Sequence, residues 1–363
     1  MTIAHYMGNC PSQHNSKLKT QNSTQNPKPR TQNPNPYICY MTDIRWGIIG
    51  CGDVTERKSG PAYQKTEGFS VVAVMRRDAA RAEDYAHRHG IARWYADADD
   101  LIADPEVDAV YIATPPDTHA VYALKVAAVG KPCCIEKPMA PSYAECLAIC
   151  EAFESKGLPL FVAYYRRSLP RFGKVKEWLD TGRIGAVRHI HWTLTRTPSP
   201  MDLSGAYNWR TDAKIAPGGY FDDLACHGID LFGYFFGDVS ECVGIATSQQ
   251  RLYDAFDAIS ASWQYASGVT GSGIWNFGCA SREDEVIIRG EKGRITLSIF
   301  GEVPFVLETP AGREESTIEN PENIQLYHVA NMQAHLAGNS LHSSTGRTAA
   351  ETARIMDIIL GRQ

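Results

Sequence analysis

The chain has no basic excess. Its 36 Lys and Arg stand against 41 Asp and Glu, a formal net charge of -5. No broad cationic surface is available to a phosphate backbone, which argues against nucleic acid as a main partner. It has no run of ~18 apolar residues, so no segment reads as a membrane span. Its N-terminus lacks the charged-then-apolar layout of a secretory signal. Ten cysteines are present, but none stand as a C-x-x-C pair, so zinc-ribbon and thioredoxin readings fail. Cys133 and Cys134 are adjacent, Cys146 and Cys150 are a helical turn apart, and most others sit in apolar runs. Read as free thiols serving as small buried hydrophobes, they place the chain in a reducing cytoplasm.

What is present is an ordinary globular composition. Hydrophobic residues make up 44% and charged residues 21%, which rules out a wholly disordered, collagen-like or coiled-coil chain. At roughly 150 residues per domain, the 363 residues hold about two domains. Residues 1–42 stand apart. From Asn9 to Pro36 the chain is rich in Asn, Gln, Thr and Pro, with almost no large apolar residue. Such a segment cannot offset its ordering entropy and reads as a disordered tail. Met41, directly before the first convincing strand, reads as a candidate natural start.

From Asp43 onward, strand and helix alternate. Apolar strands are expected over 44–50, 69–75, 107–114, 132–136 and 158–164, with helices over 79–89, 118–129 and 142–156. Gly90, Gly130 and Gly157 follow these helices as stop signals. Near-continuous apolar strands separated by helices predict a parallel, doubly wound α/β sheet of the Rossmann type over 43–165. After residue 165 the pattern changes. Strands with period-two alternation and short Gly-containing turns are expected from 186 to 308, with helices over about 219–236 and twice near the C-terminus. Residues 166–363 therefore read as an α+β domain with a largely antiparallel sheet open on one face. An open apolar face predicts a homo-oligomer, a dimer or larger.

Four motifs carry chemistry. Gly50-Cys51-Gly52-Asp53-Val54-Thr55 follows the first strand. Its glycines permit a tight turn and close approach of a pyrophosphate to backbone N–H groups. Thr55 stands where the motif ordinarily has Gly or Ala. The second strand ends in Arg76 and Arg77 rather than Asp or Glu. A guanidinium there suits a 2′-phosphate, so NADP is expected, with NAD the alternative and Asp78 its ribose ligand. Thr114 and Pro115 end the next strand of the crevice, His119 opens the helix after it, and Glu136-Lys137-Pro138 follows the strand beyond. Lys137 would thus face the crevice, where a cationic nicotinamide would lower its pKa toward a proton-relay range. Asp223 and His227, four apart on a predicted helix, share a face, and a carboxylate beside an imidazole keeps it oriented and basic. Asp230 follows three residues on. His189 and His191 face one way on a strand, but too few ligands accompany any of these histidines, and no metal is expected.

Taken together, these elements resemble the Gfo/Idh/MocA oxidoreductases, a family that includes glucose–fructose oxidoreductase and inositol dehydrogenase. The resemblance runs from about residue 44 to the C-terminus. It rests on Glu136-Lys137-Pro138, then Trp209-Arg210, Gly218-Gly219 and Asp223-x-x-x-His227. It implies a catalytic lysine at Lys137 and a substrate-site carboxylate and histidine at Asp223 and His227. Arg166, in Tyr164-Tyr165-Arg166-Arg167, would line the cleft, and Trp209 and Arg210 would approach the nicotinamide. The implied reaction is reversible hydride transfer with a sugar, polyol, cyclitol or dihydrodiol. His227 would exchange the hydroxyl proton, Lys137 would hold the same oxygen and could share the proton, and Asp223 would orient His227 or bind a neighbouring hydroxyl. Two other readings stay open on the same resemblance: a glycosidase working by transient oxidation and elimination, and a non-catalytic sugar sensor.

Overall fold

The computed structural model describes residues 43–362. The expected tail and the candidate start at Met41 lie outside the described residues.

The first half builds six strands: β1 (Ile44–Ile49), β2 (Phe69–Met75), β3 (Arg93–Tyr95), β4 (Ala109–Ile112), β5 (Cys133–Ile135) and β6 (Leu160–Val162). All pair in parallel, in the order β3-β2-β1-β4-β5-β6. The connections are α1 (Asp53–Arg57), α2 (Gly60–Lys65), α3 (Ala79–His89), α4 (Ala98–Ala103), α5 (His119–Val129) and α6 (Tyr143–Glu154). Period-two alternation divides the strand side chains between two cores. Trp46, Ile48, Tyr111, Cys134 and Phe161 pack on the α2 and α3 side, while Ile49, Val110, Ile112, Ile135 and Val162 pack on the side of α4, α5 and α6. Both faces are covered, which is why the strands read as unbroken apolar blocks.

The short β3 and α4 have no counterpart in the pattern reading; each is too short to show a period. The chain then forms α7 (Pro170–Asp180), also unanticipated, although Pro170 at its first position is a helix-start signal. The second sheet has eight strands. They are β7 (Val187–Thr195), β8 (Val239–Thr247), β9 (Ala258–Tyr265), β10 (Thr270–Asn276), β11 (Glu283–Gly290), β12 (Gly293–Leu297), β13 (Phe305–Thr309) and β14 (Gly312–Ser316). Their order is β14-β13-β12-β11-β7-β10-β9-β8. Neighbours are antiparallel except β7 and β10, which run parallel at the middle of the sheet. The chain leaves β7 on a long excursion through α8 (Pro200–Ser204) and α9 (Tyr220–Phe236) before the remaining strands, so no tight turn dictates the relative direction of β7 and β10.

α9 covers one face of this sheet. Its Phe221 and Phe232 pack edge-on against Trp275 and Trp192. The contact is close because of Gly228: a Cβ there would lie 2.3 Å from the Trp192 ring. The other face carries His189, His191, Ser262, Ser272, Ile274, Val243 and Ile245, outside the helical layer. The chain closes with α10 (Leu326–Leu336) and α11 (Gly346–Leu360). α10 returns to the first sheet, where Val329, Met332 and Leu336 join the core of Trp46 and Tyr111. α11 packs on α6, α9 and β8, and so bridges the two halves.

Candidate active site

Parallel pairing brings the carboxyl ends of β1, β2, β4 and β5 to one edge, the place where open α/β sheets bind ligands. Gly50 leaves β1 with φ +95, and its N–H donates to Met75 O at 2.9 Å. A Cβ at Gly50 would sit 2.7 Å from the Thr114 methyl, so only glycine lets the two strand ends meet. Cys51 is fully buried, and burial pushes its thiol up to about 11, which leaves its backbone as the useful part. Asp53 and Val54 open α1. Thr55 is completely buried. Its hydroxyl donates to Gly52 O and accepts from Gly52 N–H, both at 2.9 Å, so the departure from the usual small residue is absorbed as a local cap.

A hollow of about 400 Å³ follows the strand ends past Gly50, Gly52, Arg76, Arg77, Thr114 and Pro115. Arg76 donates from Nη1 to Cys51 O at 3.2 Å. Asp78 is engaged elsewhere: its carboxylate accepts from Arg81 N–H at 3.2 Å to cap α3 and pairs with the Arg81 guanidinium at 3.3 Å. A second hollow of about 320 Å³ shares Gly52, Thr114 and Pro115, and adds Glu136, Lys137, Trp209, Arg210 and Asp223.

The chemistry of this second hollow centres on one carboxylate. Lys137 Nζ donates to Asp223 Oδ1 at 2.7 Å and to Asp223 O at 3.0 Å. Arg210 Nε donates to Asp223 Oδ2 at 2.8 Å, while its guanidinium lies over the Trp209 ring. Arg210 thus holds the Asp223 carboxylate in addition to facing the crevice, a partnership that the sequence pattern does not reveal. Glu136 is buried and accepts from Tyr111 Oη at 2.6 Å, Gln325 Nε2 at 2.7 Å and Lys137 N–H at 3.2 Å. It braces the strand end that carries Lys137.

Three expectations need correction. Burial pulls the Lys137 ammonium down, but the Asp223 charge and hydrogen bond outweigh it and hold the pKa above the ordinary lysine value. Lys137 is therefore a fixed cation, not a lysine poised near neutrality. Burial likewise pushes the Asp223 carboxyl up, and Lys137 and Arg210 overcome this to hold it well below the usual carboxylate range. Asp223 does not orient His227, because both of its oxygens are taken by cations, and Asp230 pairs instead with Arg167 at 2.7 Å. His227 is 4% exposed, and its Nδ1 is buried with no hydrogen-bond partner. Tyr165 and Phe300 meet its ring edge-on at 5.4 and 6.0 Å. Burial, then the charges of Arg166, Lys137 and Lys58, drive its pKa well below the ordinary value, so the imidazole is neutral at neutral pH.

His119, Arg166 and His227 are not brought to the dinucleotide hollows. His119 is fully buried, its two ring nitrogens facing Thr114 O at 2.7 Å and Pro138 O at 3.0 Å, so it ties two strand ends together. Arg166 lines a separate hollow beside His227.

The residues fit a nicotinamide dinucleotide. Gly50 admits close approach, open space surrounds the Cβ position of Gly52, and the two hollows join arginines at one end to Lys137 at the other. Residues 44–164 match the oxidoreductase family with an NAD-binding Rossmann fold, and residues 172–296 match the GFO/IDH/MocA C-terminal domain. The chain belongs to the Gfo/Idh/MocA oxidoreductase family. Among its Gfo/Idh/MocA relatives, it is 38% identical over 320 residues to oxidoreductase P35 of Formosa agariphila, spanning 88% of this chain and 98% of that one. It is 26% identical over 311 residues to 1,5-anhydro-D-fructose reductase of Ensifer adhaerens, spanning 83% and 91%. Levoglucosan dehydrogenase, solved with NADH and levoglucosan, shares the fold at a TM-score of 0.77 and 22% identity, over 88% of this chain and 97% of that one.

The ion pair predicts a pH signature for this Gfo/Idh/MocA member. Asp223→Asn leaves two cations facing an uncharged amide and should cost about 2 kcal/mol, less than a fully buried pair because the side chains are 13% and 16% exposed. Asp223 has a depressed folded pKa, so its contribution is present above 3.8 and lost as pH falls below. Lys137 has a raised folded pKa, so its contribution is present below 10.5 and lost as pH rises beyond. Urea unfolding should therefore show a constant gap between wild type and variant from pH 5 to 9, closing below pH 3.8. A gap that varies across the neutral range would contradict the pairing.

Proposed function

We propose that this enzyme transfers a hydride between NADP(H) and a hydroxyl- or carbonyl-bearing carbon of a sugar, polyol, cyclitol or related dihydrodiol. The nicotinamide, when bound, supplies or accepts the hydride. Lys137 and the neutral His227 carry the reading. Lys137, fixed by Asp223, offers a permanent positive hydrogen-bond donor to the substrate oxygen and stabilises alkoxide charge there. His227, a neutral imidazole, takes the hydroxyl proton in oxidation and returns it in reduction. The names of two relatives support a sugar-like substrate: the Ensifer reductase, and an inositol 2-dehydrogenase of Acidothermus cellulolyticus, 34% identical over 194 residues.

The test is a panel of aldoses, ketoses, polyols and dihydrodiols with NADP⁺ and NADPH, followed by NADPH absorbance. With an accepted substrate, Lys137→Ala and His227→Ala should each lower kcat/KM by ~10²–10⁴-fold, His227→Ala while melting near wild type and Lys137→Ala with the loss of stability that breaking its ion pair brings. The double variant should lose less than the product of the singles, because the two groups act on one oxygen. A His227→Ala enzyme with normal melting and normal turnover would remove His227 from proton transfer.

NADP preference rests on Arg76, which makes no ion pair with any described carboxylate, and on Asp78, which is occupied in capping α3. NADP(H) should bind at least ~10-fold tighter than NAD(H), and Arg76→Asp should reverse the order. Equal affinities for the wild-type enzyme, by fluorescence titration, would reject it.

The open face of the second sheet, with Val243 and Ile245 about two-thirds exposed, supports self-association into a dimer or tetramer. Light scattering at micromolar concentration should give a multiple of the chain mass; a monomer mass would count against it. Among the described residues eight cysteines are free, six of them buried, which fits a reducing cytoplasm, and no helix is long and apolar enough to cross a membrane.

A further inference from the structure

A third hollow, of about 540 Å³, lies against His227: Tyr165 and Phe300, two of the three rings edge-on to the imidazole, both line it. Its walls carry Arg57 and Lys58 from the α1 end, and Arg166 and Arg171 from the start of the second half. Arg166 and Arg171 are only 7% and 6% exposed. Arg166 donates from Nε to Ile299 O at 3.1 Å and lies over the rings of Tyr165 and Phe300, leaving Nη1 buried without a partner. Arg171 donates from Nη2 to Val303 O at 3.0 Å and lies over the Phe305 ring, leaving Nε buried without a partner.

Buried guanidinium groups are ordinarily paired with carboxylates, because taking a cation out of water is costly. Neither of these forms an ion pair with any described residue. Arg167, the next residue along the chain, shows the ordinary solution: it is bound by Asp230 at 2.7 Å. The two carboxylates on the wall of the hollow are engaged elsewhere. Glu322 pairs with Lys65 at 3.0 Å, and Glu302 accepts from Asn320 Nδ2 at 2.9 Å; the Glu302 charge still acts on Arg171, but the two form no ion pair. Arg57 faces Asp53 at 4.0 Å, and Lys58 has no ion-pair partner among the described residues. The hollow is therefore a cationic chamber lined by aromatic rings, with unused donor groups, next to the proton-exchanging histidine.

We propose that this chamber is an oxyanion subsite: the substrate carries an acidic group, a carboxylate or a sulfate or phosphate ester, that Arg166 and Arg171 bind. The sugar ring between that group and the reacting carbon would lie over Tyr165 and Phe300, beside His227. This deepens the hydride-transfer reading and rests on it for the identity of the site. It narrows the substrate class to acidic sugars.

The experiment uses the enzyme with NADPH bound and matched sets of D-glucose and D-galactose with their uronates, 6-sulfates and 6-phosphates. Binding is read by thermal shift titration and turnover by NADPH absorbance. At least one acidic form should bind and turn over ~10-fold or more better than its neutral parent, and the arm that does so names the acid. Arg171→Gln should reduce that ratio ~10-fold or more through KM, and Arg171→Lys, which keeps the charge, should recover part of it in an enzyme of normal melting temperature. Inorganic sulfate should compete with the acidic sugar. Neutral parents that bind and react as well as every acid would overturn the subsite and leave hydride transfer standing. Acidic sugars that bind through Arg171 but never exchange a hydride would overturn the reaction and leave the subsite standing. Failure of every acidic sugar and of sulfate to bind would also overturn it, as would a preference that survives in a folded Arg171→Gln enzyme.

Discussion

The Lys137–Asp223 ion pair joins the two halves of the molecule at the mouth of the crevice. Lys137 stands at the end of a parallel strand, and Asp223 in the first turn of α9, 86 residues away in the chain. Neither charge is tolerable in this setting alone. Each needs the other, and Arg210 completes the balance on the second carboxylate oxygen. Much of the surrounding architecture serves this contact. Glu136 is held from three sides to fix the strand end, and Gly219 with φ +61 lets the chain turn sharply into α9. Gly228 seats the same helix against Trp192. Rigid elements on both sides make the ammonium position a property of the fold, not of one flexible side chain.

The same contact divides the labour between Lys137 and His227. The carboxylate that raises the pKa of Lys137 is no longer available to His227, so the histidine is left neutral in an apolar, cation-flanked place. One group becomes a fixed cation and the other an uncharged imidazole, the division that the proposed mechanism uses. Neighbouring environments that push two titratable groups in different directions are a recurrent way to assign such roles.

Much of this was legible in the residues. β2 and α3 have the bounds their patterns predict, because apolar blocks run up to turn residues and Gly90 ends α3 in a left-handed conformation. The crevice residues Gly50, Arg76, Thr114 and Lys137 were found for the same reason: parallel strands put their ends in one place. What the pattern could not show is competition across the chain. Spacing places Asp223 and His227 on one face of α9, but it carries no information about a lysine from another element claiming the carboxylate. The Arg210 contact was hidden in the same way. The parallel pairing of β7 and β10 was hidden because it depends on a long connection, not a turn, and β3 and β14 because a few residues at a sheet edge carry little periodic signal.

The return of α10 to the first sheet has a consequence for how this architecture can be dissected. Val329, Met332 and Leu336 seal one face of the nucleotide-binding sheet, and Gln325 supplies one of the hydrogen bonds that hold Glu136. A segment cut after β6 would bare Tyr111 and Phe161 to water and loosen the residue that precedes Lys137. The two halves are therefore not exchangeable cassettes. A recombination event or a chimera that swaps the second half must carry α10 surfaces complementary to the sheet it inherits, so the nucleotide-binding half and the last helices diverge as one unit.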